Sequence, residues 1–268
     1  MGVEMKSAVF FDIDGTIWNY DHYIPDSAKK AVRLLQENGH VALLCSGRAR
    51  AFVNDPDLLS MGWDGIVCSC GNHIEINNRM MYERLIEQDE AVRIIEFIRS
   101  YGFKPILEGP EFLYMDEDEF PVGQEYADIL RRDLGHELTT IGGANYGKWR
   151  INKFSCETDV PEEKRLECFK MISDKYDVIE HSPTVCEIIP KGANKATGML
   201  KACEFLGVEK ENTYALGDSE NDLEMLRAAA HGIAMGNGTD RAKEAAEYVT
   251  TAFDQDGIYL ALKHYHLI

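Results

Sequence analysis

Asp12 and Asp14 flank a single residue directly after the apolar run 8–11. Two carboxylates so close repel each other unless a cation lies between them or one carries a proton. Asp218 ends a second apolar run, and Asp222 lies one helical turn further on. A few hard oxygen ligands of this kind suit Mg²⁺, which keeps several waters and leaves room for phosphate oxygens. Ser46 places a hydroxyl at the end of a third apolar run. Lys195 brings an ammonium to a predicted helix start, where backbone N–H groups also favour anions. The chemistry on offer is the joint binding of a cation and a phosphate. Each piece alone has a plainer reading: turn chemistry for Asp-x-Asp, a loop for Ser-Gly-Arg at 46–48, and a solvated lysine. The ordered set, with each member at a strand end or helix start, favours the chemical reading.

Those residues need elements to hold them. The runs at 8–11, 41–45 and 66–68 are short and unalternating, as in strands buried on both faces. Between the first two, Ala28, Val32 and Leu35 mark one face of a helix, with Asp26 as its expected N-cap and Gly39 as its C′ glycine. The last third repeats the pattern. Helices are expected at 194–205 (closed by Gly207), from Leu223 and at 241–246, with strands at 213–216, 232–235 and 248–249. Strand–helix–strand order with polar residues after each strand predicts a parallel sheet, whose ligands bind beyond the carboxyl ends of the strands.

The middle of the chain differs. Helices at 91–101, 124–134 and 162–175 mix with strands at 112–115, 149–156, 178–181 and 185–189 without strict alternation. The expected fold is therefore α/β: a Rossmann-like, mostly parallel sheet with helices on both faces, interrupted by an inserted α+β domain. The core takes residues 1–82 and 189–268, and the insert 83–188. The acidic run 116–119 is expected to be a solvated loop, and His264-x-His266 a solvated tail.

Composition narrows the partners. The chain has 268 residues, 28 basic against 46 acidic, for a formal net charge of −18. That balance opposes coating of a nucleic acid or docking on an anionic membrane, and no run approaches the roughly 20 apolar residues of a membrane span. Residues 83–188 hold 13 basic and 24 acidic side chains, so most of the excess acid lies in the insert and leaves the phosphate reading open. Seven scattered cysteines do not form a secreted disulfide framework. Cys68-x-Cys70 has no second pair at zinc spacing and reads as structural thiols. The N-terminus has no stretch apolar enough for a signal peptide. A cytoplasmic protein acting on a small phosphorylated metabolite is the expectation.

DIDGT at 12–16, the strand ending in Ser46, KGANK at 191–195 and GDSEND at 217–222 resemble the four motifs of the haloacid dehalogenase superfamily, in the DxDGT form of its phosphatases. CSGR at 45–48, PKGANKATGM at 190–199, GDSENDLEML at 217–226, AMGNG at 234–238 and DGI at 256–258 are similar to the Cof-type hydrolases, as is the position and length of the insert, their cap. The resemblance implies a Mg²⁺-dependent phosphatase. Asp12 would be the nucleophile that forms an aspartyl-phosphate. Asp14 would be the general acid and then base, its backbone carbonyl also on the metal. Asp218 would complete the metal site with Asp222 in support and Asn221 nearby. Ser46 and Lys195 would hold the phosphoryl oxygens, and Gly47 would lend a backbone N–H. Two departures are small: Ser46 stands where many relatives have threonine, and Cys70-Gly71-Asn72 where they often have an Asn-Gly-Ala turn.

Two other readings compete. A phosphomutase shares the core residues, but the mutases carry a helical cap after the first motif. A non-catalytic phospho-ligand-binding module would be expected to have lost Asp12, Asp14, Asp218 or Lys195, and all four are present. Sugar phosphates lead as substrates, followed by phosphorylated cofactors. Along 149–156, alternation groups Trp149 with Ile151 and Lys153 and turns Arg150 the other way. Trp149 is expected in the cap core. Arg150 or Lys153 is the candidate to read the substrate's polar end, against a plain reading in which Lys153 is solvated.

Overall fold

The computed structural model of the chain describes residues 6–268, in two compact units. Residues up to 47, 54–82 and 194–268 form the first; 48–53 and 83–193 form the second.

The first unit opens with β1 (Ala8–Phe11), buried along its whole length as an all-apolar strand must be. Helix α1 (Asp26–Glu37) buries Ala28, Ala31, Val32 and Leu35. Its cap position is Pro25 rather than Asp26, which is the first helical residue and makes no capping bond; a carboxylate there still suits the helix dipole. Gly39 has φ +86°, as a residue just past a helix end requires. Then come β2 (Val41–Cys45), the short α2 (Pro56–Leu59), β3 (Gly65–Cys68), β4 (His73–Ile76) and β5 (Arg79–Glu83). The last two strands escaped the sequence reading. They are joined by Asn77 and Asn78, both left-handed, which is the asparagine-rich two-residue hairpin turn. β5 is an exposed edge strand with no buried alternation to betray it.

The second unit contains α3 (Gln88–Tyr101), β6 (Lys104–Glu108), β7 (Leu113–Tyr114), α4 (Glu125–Asp133), β8 (Leu138–Thr139), β9 (Lys153–Glu157), α5 (Glu162–Ile172), β10 (Tyr176–Ser182) and β11 (Val185–Pro190). Its sheet runs β10-β11-β9-β6-β7-β8. Ile94, Ile95 and Ile98 of α3 and Cys168 of α5 pack on the face carrying Leu107, Phe154, Cys156, Cys186 and Ile188. Ala49, Ala51 and Phe52 join a second cluster with Ile106, Leu113, Phe120 and Leu130, so 48–53 belongs to this unit and not to the core segment 1–82. The strand expected at 149–156 begins only at Lys153. The acidic run is solvated as expected at Glu117 and Asp118, which are exposed, but it forms a 3₁₀ turn, and its ends are held: Arg99 donates to Asp116 and Glu119, and Asp116 also accepts from Thr140 and from Gly142 N–H.

The chain returns to the first unit with α6 (Lys195–Leu206), β12 (Thr213–Gly217), α7 (Leu223–Ala228), β13 (His231–Ala234), α8 (Asp240–Ala245), β14 (Tyr248–Val249) and α9 (Gly257–His264). The expected C-terminal tail is thus helical to His264, whose ring stacks on Tyr248. The sheet order is β14-β13-β12-β1-β2-β3-β4-β5. Pairing is parallel from β14 to β3 and antiparallel between β3 and β4. Met199, Ala202 and Met225 of α6 and α7 pack on the face carrying Ala8, Phe10, Leu43 and Cys45. The alternate residues Val9, Phe11, Ala42 and Leu44 are equally buried, and α1 packs on β2 and α9, so helices flank both faces. Connections run from β1 outward through β2 on one side, while β12 to β14 lie on the other. β1 and β12 therefore meet where the strand order reverses, the place where α/β sheets bind ligands.

Candidate active site

Three neighbouring parallel strands end in the residues of interest. Asp12 follows β1, Ser46 follows β2 and Asp218 follows β12. The Asp12 N–H still donates to Leu216 O at 2.9 Å, and Ser46 N–H to Val67 O at 2.8 Å, so the ladder fixes both backbones before their side chains diverge. Lys195 is the first residue of α6. Asn194 caps that helix by accepting from Thr197 N–H at 2.7 Å, while the Thr197 hydroxyl accepts from Asn194 N–H. The capping box sets where the lysine leaves the helix.

Lys195 is buried, and its Nζ donates to Asp12 Oδ1 at 2.6 Å, Asp222 Oδ1 at 2.6 Å and Asn221 Oδ1 at 3.1 Å. The other oxygen of Asp222 accepts from the N–H groups of Asp218 and Ser219 at 3.0 and 3.1 Å. Asp222 thus ties the Asp218 loop to the lysine. One oxygen each of Asp12, Asp218 and Asp222 lie within 4.8 Å of one another.

Three carboxylates face one ammonium, and the proton affinities of Asp12 and Asp218 record the excess. Burial and then Asp222 push the Asp12 carboxyl well above the ordinary aspartate range, against the pull of Lys195. Burial and then Asp222 likewise push Asp218 up to about 7. Burial would lower Lys195, but Asp12 and Asp222 overcome it and hold it well above its ordinary value, so it remains an ammonium. The site as built from protein alone lacks positive charge.

A Mg²⁺ ion fits that deficit. Asp218 Oδ1 is buried and has no hydrogen-bond partner among the described residues, an arrangement that costs free energy unless something binds it. The donor set is all oxygen, as a hard cation requires. Gly15, at φ +80°, brings the backbone so close that a Cβ there would fall 2.2 Å from Asp218 Oδ2. Asn237 secures that turn, its Nδ2 donating to Gly15 O at 2.8 Å.

Asp14 is half-buried and sits beside this cluster in sequence, its Oδ1 accepting from Trp18 Nε1 at 2.9 Å. Ser46 and Gly47 are buried at the end of β2, and Ser46 O accepts from Cys70 N–H at 3.3 Å. Sequence reasoning passed over Trp18, Gly15 and Gly198. A tryptophan four residues beyond an acid and glycines beside each motif were the available signals, but their contacts are long-range or depend on loop curvature.

Arg150 and Lys153 belong to the second unit and are spent differently. Lys153 is 1% exposed and is not solvated; its Nζ lies 2.9 Å from Glu187 and 3.4 Å from Glu108. Arg150 keeps about half its side chain in solvent and pairs with Glu83 at 2.7 Å and with Glu111. Trp149 is buried, with its Nε1 donating to Ile141 O at 3.1 Å. All seven cysteines, Cys68 and Cys70 among them, are buried. Among the described residues no helix is long and apolar enough to cross a membrane.

The family model for haloacid dehalogenase-like hydrolases matches residues 9–262. A 5-amino-6-(5-phospho-D-ribitylamino)uracil phosphatase of Bacillus subtilis (strain 168) is 28% identical, covering 96% of this chain and 96% of its own. A phosphoglycolate phosphatase of Methanosarcina acetivorans is 30% identical, covering 96% of this chain and 95% of its own. The solved structure of a subclass IIB sugar phosphatase of the haloacid dehalogenase superfamily matches with a TM-score of 0.84 at 27% identity, covering 98% of this chain and all of that one.

Proposed function

We propose that this chain, which belongs to the haloacid dehalogenase-like hydrolases and is a phosphoric monoester hydrolase, is a Mg²⁺-dependent phosphatase of a small phosphorylated metabolite, acting through an aspartyl-phosphate. The observation that carries this reading is the buried Asp12–Lys195 contact at 2.6 Å beside the unpartnered Asp218 oxygen. It supplies a held carboxylate, a fixed cation and a hard oxygen ligand that no hydrogen bond engages.

In this mechanism Asp12 attacks phosphorus in line with the leaving alcohol. Asp14 gives that alcohol its proton, and later takes one from the water that hydrolyses the aspartyl-phosphate. Lys195 and the Ser46 hydroxyl hold the equatorial oxygens, with the Gly47 N–H in support, because phosphoryl transfer is mainly positioning and charge neutralisation. Asp12, Asp218 and the Asp14 carbonyl would hold Mg²⁺, with Asp222 behind them. When bound, the ion neutralises charge on the phosphoryl group and keeps Asp12 ionised. Asn221 orients Lys195.

Sugar phosphates lead as substrates, because a subclass IIB relative of the same overall structure is a sugar phosphatase. A relative acting on a phosphorylated ribityl compound extends the class to polyol phosphates carrying a ring. Arg150, half in solvent, is the candidate in the second unit for contact with the non-phosphate end; Lys153 is buried against Glu187 and Glu108 and is not.

The test is release of phosphate from p-nitrophenyl phosphate, with and without EDTA, using Asp12→Asn as control. Metal-dependent turnover lost by several orders of magnitude in Asp12→Asn supports the reading. Turnover that survives EDTA, or survives the loss of the Asp12 carboxylate, overturns it. A screen of phosphorylated metabolites ranked by kcat/KM then identifies the substrate.

A further inference from the structure

Trp18 is 1% exposed and lies in the loop that follows the two aspartates. That loop curls back on itself. Trp18 N–H donates to Ile13 O at 3.2 Å, and Gly15 N–H donates to Trp18 O at 2.8 Å. Asp14 and Trp18 form an isolated bridge. The curl carries the indole over the Asp14 side chain, where Nε1 donates to Oδ1 at 2.9 Å. The ring is held from behind by His22, stacked at 4.1 Å with planes 3° apart. His22 in turn lies 3.4 Å from Asp55 through Nδ1 and has a left-handed backbone. A buried aromatic clamped on one face and hydrogen-bonded at its edge has one orientation available.

We infer that Trp18 is a positioning residue for the proton donor of the reaction: its indole N–H anchors Oδ1 of Asp14 and so aims Oδ2 at the leaving-group oxygen. The indole N–H only donates. It can serve the carboxylate and the neutral acid alike, but an O–H on Oδ1 would have to share that oxygen with the incoming N–H. The acidic proton is thereby steered to Oδ2, and passes from there to the departing alkoxide as the P–O bond breaks and the bond from Asp12 to phosphorus forms. A histidine or lysine in the same place could exchange protons with Asp14; a tryptophan cannot. This inference rests on the proposed role of Asp14 as general acid.

The test uses leaving groups. kcat/KM reports the steps up to departure of the alcohol, and p-nitrophenolate leaves without help from an acid, whereas an alkoxide needs the proton. The ratio of kcat/KM for p-nitrophenyl phosphate to that for an alkyl monophosphate is measured for the wild-type protein, Asp14→Asn and Trp18→Phe, with Mg²⁺ present. The phenylalanine keeps the ring and removes the N–H. We expect the ratio to rise by about 100-fold or more in Asp14→Asn, and by about 10-fold in Trp18→Phe. A structural loss alone would lower both substrates together and leave the ratio unchanged; that result, or no change at all, overturns the inference. If Asp14→Asn itself leaves the ratio unchanged, the acid role fails and the inference falls with it.

A second measurement needs neither turnover nor metal nor a folded Trp18→Phe. The chain has three indole N–H groups, and those of Trp63 and Trp149 donate to backbone carbonyls. In proton NMR of the metal-free protein, Asp14→Ala should shift one indole resonance and leave the other two in place. Three unmoved resonances would overturn the contact.

Discussion

Gly71 and Gly198 meet backbone to backbone: a Cβ on Gly198 would lie 2.5 Å from Gly71 Cα, and a Cβ on Gly71 would lie 2.8 Å from Gly198 Cα. Gly198 is in the first turn of α6, three residues after Lys195. The close approach therefore sets how far that helix, and the ammonium at its start, stands from the end of β3. Gly198→Ala must push α6 outward, since Val67 Cγ1 would also be only 2.6 Å away. The expected cost is about 1–3 kcal/mol of stability by urea denaturation. Because Lys195 moves with the helix, kcat should fall by a larger factor than KM rises.

Removing the ammonium itself should act on both stability and chemistry. Lys195→Met leaves Asp12 and Asp222, both buried, without their shared cation. Breaking a buried pair from one side costs about 3 kcal/mol or more, read as a lowered denaturant midpoint of the metal-free protein. Loss of the charge on the equatorial oxygens should reduce kcat by about 100-fold or more. An unchanged midpoint would mean that the two carboxylates relax apart once the lysine is gone.

Metal should appear as stability before it appears as rate. A ligand that binds only the folded protein stabilises it by mass action, by about 2.7 kcal/mol at a hundredfold excess over Kd. Titration with Mg²⁺ should raise Tm, and EDTA should reverse the rise. Asp218→Ala, which deletes the unpartnered buried oxygen, should abolish the shift. Gly15→Ala should weaken it, because its methyl would collide with the same carboxylate from a left-handed backbone.

These relationships divide cleanly into those a linear sequence displays and those it hides. Asp12, Ser46 and Asp218 were legible because each directly follows a short apolar run, and short buried strands of a parallel sheet all point their carboxyl ends the same way. Lys195 was legible from its place at a predicted helix start, where backbone N–H groups favour anions, whereas the cap by Asn194 that fixes it came only with the structure. Trp18 was not, because its contact with Asp14 depends on the curl of a loop with no periodicity. Nor was the assignment of Ala49, Ala51 and Phe52 to the second unit, since their partners Ile106 and Phe120 lie more than fifty residues away. Parity grouped Lys153 with Trp149 and Ile151, but the strand begins only at Lys153: Trp149 and Ile151 pack with Phe154 and Cys156, the opposite face of β9, while Glu108 and Glu187 occupy the lysine's ammonium.

Acid should unsettle the second unit through Glu187. Burial alone would raise its carboxyl, but Lys153 and then His181 overcome this and hold it well below the ordinary glutamate value of 4.5. A carboxyl depressed in the folded state binds fewer protons there than when unfolded, so it adds stability above 4.5 that is lost as pH falls below that value. The wild-type melting temperature should therefore drop on acidification from about pH 5 to pH 3. Glu187→Gln should be less stable at neutral pH and show a shallower drop. Parallel curves for the two proteins would count against the depressed value.

Arg150 and Lys153 should separate binding from folding. Lys153→Met leaves Glu108, fully buried, with no cation beside it, and should cost about 3 kcal/mol or more. Arg150 is half in solvent and its pair with Glu111 is exposed, while its partner Glu83 keeps 11% of its side chain in solvent, so Arg150→Ala should cost about 1 kcal/mol. A change in KM in Arg150→Ala can then be read as lost substrate contact without correction for unfolding. If Arg150 reads the non-phosphate end of the substrate, KM for the best metabolite from the screen should rise about tenfold, equivalent to roughly 1.4 kcal/mol, while KM for p-nitrophenyl phosphate, which lacks that end, should stay within about twofold. Equal KM values for wild type and Arg150→Ala across every accepted substrate would remove Arg150 from the binding site and leave it as a surface partner of two glutamates.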